Sequence, residues 1–286
     1  MSLSASFSIL TPTLNPGPIL ACCVRSVADQ RTAQVSVRHH IRDGGSSDGS
    51  LAGLPHGAGL DLVSAPDQGM YDALNRAWTT ATGDYVGLLN ADEQYLPGSL
   101  TRVVAEFARR PEIDVLYAGF IVTDEHLQPL CYRRPLVPDA LYVALDNLPV
   151  FTCATFVRRG SFADWSELYD TRYRAAADAD WFLRMRRRGV RMGTLDVLTS
   201  LFMLHGKNLS LGSLHRAECA QIAGQYAHGW QWTKKIVKRM HHIKKKLRGH
   251  FAPMPVTVTA YPPHAQHRTT ITAVVTGKWP MPQPTV

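Results

Sequence analysis

A chain of 286 residues, 45% hydrophobic and 19% charged, holds enough apolar material for one large or two small packed domains; this excludes wholesale disorder, a collagen-like repeat and a disulfide-stapled miniprotein. The formal net charge is +8, yet residues 1–229 carry 21 basic groups against all 23 acids, so the basicity belongs to the C-terminal segment. Five cysteines without CxxC spacing, no run approaching the ~18 apolar residues of a spanning helix, and no basic stretch before the first apolar residues suit a reducing, cytoplasmic setting and argue against structural zinc.

In chain order, Phe7–Thr11 reads as a strand ended by Pro12, and Ile19–Asp29 as a helix. Val35–Ile41 is a second strand, closed by the turn cluster DGGSSDGS at Asp43–Ser50, and Leu60–Ser64 a third, followed by the turn Pro66–Gly69. Met70–Thr82 has helical spacing, with Ala73, Leu74, Ala77, Trp78 and Ala81 on one face and Gly83 as the stop. Tyr85–Leu89 is a fourth strand running into Asn90–Glu93. Pro97-Gly98-Ser99 then opens a helix with Val103, Val104 and Phe107 inward, and Val115–Val122 is a fifth strand. Strands alternating with helices predict an α/β unit with a largely parallel sheet, whose ligands collect beyond the carboxyl ends of the strands. The polar clusters fall at those ends.

Between about residues 130 and 229 the pattern is mixed. Leu148–Val157 is strand-like, Ala175–Gly189 helical, and Val197–Leu204 a strand leading to His205. Trp232, Ile236, Met240, Ile243 and Leu247 then recur at helical spacing among eight lysines and arginines. Such a helix at 230–250 suits an anionic membrane surface; the alternative is a helix that packs its apolar stripe on the domain. Nucleic-acid binding is set aside, since no recognition module accompanies the charge. Residues 251–286, rich in Pro and Thr, read as an irregular tail.

Candidate chemistry resides in four acidic clusters: Asp43 with Asp48, Asp67 with Asp72, Asp92 with Glu93, and Asp178 with Asp180. Singly, each fits a turn, a helix start or an ion pair. Together they suit a nucleoside diphosphate at a sheet edge, whose charge needs a hard cation with oxygen ligands. Asp92, directly after an apolar strand, is placed for that, and His205 could complete the coordination.

The strings FSILTPTLN, HHIRDGGSSDGS and SAPDQGMYDALNRAWTTATGDYVGLLNADE, followed by CATFVRRGSF, YRAAADADWFLRM and FMLHGKNLS, resemble in order the motifs of inverting family 2 glycosyltransferases of the GT-A fold, in the bacterial branch that builds surface polysaccharides and glycolipids. The resemblance covers roughly residues 7–210. It implies a Rossmann-like, mostly parallel mixed sheet flanked by helices over residues 1–229, with the nucleotide-sugar part to about 125 and the acceptor part after it. Thr11, Pro12 and Asn15 would shape the first loop beside the nucleotide, and Asp43 would meet the base. Asp67, Gly69, Tyr71, Asp72 and Asn75 would line the ribose and sugar pocket. Asn90-Ala91-Asp92 stands where the family has DxD, with Asp92 and His205 on Mn²⁺ or Mg²⁺. Asp178 falls at the general base, with Asp180 next in line.

Two departures stand out: Asn90 replaces the first DxD acid, and Ala177 replaces a Glu before the base. The QxxRW motif and spanning helices of processive members are missing from the sequence, which implies addition of one sugar, from a nucleotide-sugar such as a UDP-sugar, to a hydroxyl of a glycan or lipid-linked acceptor. The basic helix would hold the enzyme at the inner face of the plasma membrane. A nucleotidyltransferase and a non-catalytic binding or scaffold protein are the competing classes; the first would be expected to carry a basic phosphate loop, and LTPTLNPGP has no basic residue.

Overall fold

The computed structural model describes residues 4–54, 59–206, 208 and 212–280. Strand β1 (Ala5–Thr13) lies between two parallel partners, β2 (Val35–Asp43) and β4 (Tyr85–Leu88), and β3 (Leu60–Ser64) extends the sheet beyond β2. The register sets Thr13 opposite Asp43 and Asp43 opposite Ser64, so three polar loops leave the sheet at one level. Helices α1 (Ile19–Ala28) and α2 (Met70–Thr80) make the crossovers. Each buries a stripe at three- and four-residue spacing, Leu20, Cys23, Val24 and Val27 on α1 and Tyr71, Leu74 and Trp78 on α2.

Beyond β4 the sheet turns mixed. β8 (Thr155–Arg158) runs antiparallel between β4 and β6 (Val115–Thr123), and β6 pairs in parallel with β9 (Met192–Met203). β5 (Gln94–Tyr95) closes the edge on β9, and β7 (Pro129–Arg133) pairs with β6. Among the described residues the order is β3-β2-β1-β4-β8-β6-β9-β5. Helix α3 (Ser99–Arg109) precedes β6, and α4 (Ala140–Leu145), α5 (Ala177–Arg187), α6 (Ser213–Tyr226) and α7 (Lys234–Leu247) belong to the second half. This is the α/β architecture expected. Of the strand-like run 148–157, only its end is strand; Pro149 interrupts it, and a 3₁₀ turn at Thr152–Ala154 leads into β8.

The segment after residue 250 is not an irregular tail. Met254–Ala260 (β10) and Thr269–Val275 (β11) form an antiparallel hairpin. Val256, Val258 and Ala260 alternate with exposed or half-buried Pro255, Thr257 and Thr259, and they pack on Ile121, Tyr132 and Leu201 of the main sheet. Each such valine contributes roughly 1.5–3 kcal/mol on burial. The Gln94 side chain clamps the hairpin through Tyr261, donating to its carbonyl and accepting from its N–H, both at 2.9 Å. The period-2 signal is real but spans seven residues, and Pro255 with the threonines masks it.

Helix α7 forms, but its apolar stripe does not pack. Trp232 is 74% exposed and Leu247 83%, with Ile236, Met240 and Ile243 exposed between them. The helix docks instead by Val237 and by His241, whose ring stacks on Tyr142 at 3.7 Å. The five cysteines are unpaired thiols, and no helix of the described residues is long and apolar enough to cross a membrane.

Candidate active site

The loops at the carboxyl ends of β1, β3 and β4 form one wall of a cleft of 1090 Å³, and α5, the α4–β8 loop and the end of β9 form the other. Pro12, Asn15, Asp67, Gly69, Tyr71, Asn90, Ala91, Asp92, Asp178 and His205 all line it. Residues from opposite ends of the sequence therefore share one cavity.

On the first wall, Asn15 takes a left-handed conformation (φ 48°), which an Asn tolerates. Its side-chain oxygen accepts from the Ser47 N–H at 2.9 Å, while its own N–H donates to the Ser46 hydroxyl at 2.7 Å. Asp67 accepts from the Gly69 N–H at 2.8 Å, and Gly69 enters α2 at φ 116°, open to glycine alone. A side chain at Gly44 would press on the Asp67 carboxylate, 3.0 Å from where its Cβ would stand.

The centre of the cleft is a pair. Asp92 Oδ2 lies 2.8 Å from His205 Nε2, and this hydrogen bond raises the imidazole pKa. Beneath them the buried Glu93 accepts from the Asn90 N–H at 2.6 Å; burial, then the Asp92 charge, pushes its pKa well up. One carboxylate oxygen and one imidazole nitrogen on the cleft surface would hold a divalent cation, and this mixed set fits Mn²⁺ better than Mg²⁺, which prefers oxygen ligands alone. Among the described residues no third His, Cys, Asp or Glu joins them.

Opposite stands Asp178, in the first turn of α5. Burial raises its pKa, and Tyr71 donates to Oδ1 at a long 3.4 Å. His215 of α6 faces it, a cleft residue that nothing in its sequence surroundings singles out. The turn leading into α5 is held from outside: Glu218 accepts the N–H groups of Arg174, Ala175 and Ala176 at 2.7–2.9 Å. Where the family pattern has a Glu beside the base, this chain has Ala177, and the carboxylate that fixes the adjoining turn comes from α6.

Five predicted site residues do not line the cleft, each because its polar atoms serve the scaffold. Thr11 is buried; its hydroxyl donates to the Leu89 carbonyl at 2.7 Å, so it accepts from His39 at 2.8 Å. Asp43 is buried and takes donors from Gly45, Ser46 and Ser64. Burial opposes its ionisation, but the two hydroxyls and two amides outweigh that and lower its pKa. Asp72 caps its own loop through the Gln68 N–H and pairs with Arg76 at 2.8 Å. Asn75 clamps Leu168 and Tyr169 by three backbone hydrogen bonds. Asp180 is buried between Arg184 (2.7 Å) and the Tyr226 hydroxyl (2.6 Å), facing away from the cleft. Of the motif FMLHGKNLS, Lys207, Leu209 and Ser210 lie outside the described residues.

Residues 8–165, more than half the chain, match the model of glycosyl transferase family 2, and the chain belongs to that family. It is 32% identical over 192 residues to a PGL/p-HBAD biosynthesis glycosyltransferase of Mycobacterium tuberculosis, covering 62% of this chain and 68% of that one. It is 24% identical over 222 residues to the chondroitin synthase of Pasteurella multocida, covering 72% of this chain but 21% of that protein. Among solved structures, S. aureus TarS with UDP-GlcNAc superposes with a TM-score of 0.55 at 15% identity, over 78% of this chain and 71% of TarS. A Pyrobaculum calidifontis mannosyltransferase with GDP-Man and Mn²⁺ gives 0.54 at 14%, over 85% and 76%. These likenesses show the GT-A, Rossmann-like fold. Family membership makes the protein a glycosyltransferase, which sets aside the nucleotidyltransferase and scaffold readings.

Proposed function

We propose that the protein moves one sugar from a nucleotide-sugar to a hydroxyl of a glycan or lipid-linked acceptor, with inversion at the anomeric carbon. The observation that carries this reading is the cleft shared by the Asp92–His205 pair and Asp178. Asp67 and the Asn15 loop would seat the nucleoside and sugar. A divalent cation on Asp92 and His205 would offset the charge gathering on the departing diphosphate. Asp178 takes the proton of the acceptor hydroxyl as its oxygen bonds to the anomeric carbon and the bond to the diphosphate oxygen breaks. Attack from the side opposite the diphosphate inverts the configuration.

A UDP-sugar is our preferred donor; TarS was solved with UDP-GlcNAc, and the mannosyltransferase with GDP-Man supplies the competitor. The mycobacterial relative is named for PGL/p-HBAD biosynthesis, and the exposed α7 stripe offers a means of meeting a lipid-linked acceptor at an anionic membrane surface, here the inner face of the plasma membrane. The test is thermal stabilisation by UDP-, GDP- and dTDP-sugars with and without manganese, followed by NMR of the anomeric configuration in the product. A β-linked product from an α-linked UDP-sugar is expected; retained configuration overturns the single-displacement reading.

A further inference from the structure

Two cations in the cleft have no part in the reading above. Arg133 ends β7 and Lys245 sits on the inward side of α7, and both line the cavity. Neither pairs with a carboxylate among the described residues. Arg133 donates to the Gly277 carbonyl at 3.3 Å and lies over the Trp279 ring at 5.7 Å; the Lys245 amine lies over Phe251 at 5.3 Å. The acids of the neighbouring helix α4 are already engaged, Asp139 by Lys244 and Asp146 by Lys234 and Lys238. Burial, then Arg133, lowers the Lys245 pKa to about 8. His241 and His250, which complete the surroundings, are held neutral, with pKa values near 4 set first by burial.

Partly buried cations side by side and without counter-charge are unfavourable, and here they occur where the fold leaves room for a ligand. We propose that Arg133 and Lys245 form an oxyanion subsite that holds a carboxylate or phosphate carried by the acceptor, with Trp279 and Tyr142 flanking the sugar that bears it. This rests on the transfer reading above and adds the charge class of the acceptor. An acceptor source is favoured over the donor diphosphate because the donor wall is built from the loops after β1, β3 and β4, whereas these cations come from β7 and α7.

The test uses the full chain saturated with UDP and Mn²⁺ and titrated with methyl β-glucopyranoside, methyl β-glucuronide and glucose 6-phosphate. One or both anionic sugars should bind at least about tenfold more tightly than the neutral one. Arg133→Gln and Lys245→Gln should each remove most of that preference, as expected for lost charge-assisted hydrogen bonds, while the affinity for UDP moves less than about twofold. Equal binding of the neutral sugar, or a preference that survives both substitutions, overturns the proposal. A parallel fall in UDP affinity overturns it too, reassigning the cations to the donor diphosphate. Should UDP fail to bind the unmodified protein, the donor reading fails, and the same titrations on the unliganded protein still decide the subsite. Lys245→Gln, on a helix with an exposed outer face, decides the matter if Arg133→Gln does not fold.

Discussion

Asp92 and His205 are separated by 113 positions in sequence and by 2.8 Å in space. The contact joins the end of the parallel half of the sheet to the end of β9, and thereby makes one site of two halves of the chain. A cation on His205 would require a neutral ring, so the Asp92 hydrogen bond that raises its pKa would compete with such a cation for the ring nitrogen.

Asp178 carries the first prediction. Its pKa is raised by burial, so kcat should fall on the acid side at a pH above the ordinary carboxylate value of about 3.9. The sign for stability is opposite to that of a salt-bridged acid. With the folded pKa above the unfolded one, the folded state binds more protons between the two, and stability declines as pH rises through that window. Asp178→Asn should therefore lower kcat by roughly 10²–10⁴-fold and raise the melting temperature at neutral pH. Kinetics and calorimetry on the same variant check both; near-normal turnover would remove Asp178 as the base.

Glu218 carries the second. It satisfies three backbone donors ahead of α5 from a position 40 residues beyond Asp178 in a different helix. Glu218→Ala should cost roughly 2–4 kcal/mol of stability by leaving those donors unpaired, and kcat should drop with donor KM little changed. Denaturant unfolding and steady-state kinetics provide the measurement.

The third concerns α7. Lys235, Arg239 and Lys246 pair with no acid among the described residues and flank the exposed stripe on one side. The wild-type protein should float with vesicles containing anionic lipid and not with neutral ones. Trp232→Ser with Leu247→Ser should abolish flotation without lowering the melting temperature, because neither side chain packs on the domain. Unchanged flotation would remove the membrane from the account.

The fourth concerns the C-terminal hairpin. Deleting residues 251–286 would uncover Ile121, Tyr132 and Leu201, so the shortened chain should aggregate or melt well below the parent. Truncation is therefore a poor probe of α7, and point substitutions on its outer face serve instead. A truncated chain with an unaltered melting curve would contradict the packing described.

The strands and loops of the first half were legible because short apolar runs alternate with Gly-, Ser- and Asp-rich turns, and the sheet presents those turns on one side. Residue type alone did not reveal where each side chain is spent. Thr11 and Pro12 are neighbours on one strand, and alternation sends the Thr11 hydroxyl into the sheet while Pro12 reaches the cleft. Asp178 and Asp180 occupy the same helical turn, yet Arg184, four residues on, claims Asp180. Arg133 and Lys245 sit in runs of basic residues that read as solvated surface; the pairing of β7 with β6 and the docking of α7 against α4 bring them to the cleft.

Calorimetric titration of UDP with and without Mn²⁺, on the unmodified protein and on Asp92→Asn, tests the central claim most directly. The account predicts at least about tenfold tighter UDP binding with manganese in the unmodified protein, and loss of that gain in Asp92→Asn. Binding of UDP that is indifferent to manganese, or a manganese effect untouched by the substitution, would contradict it.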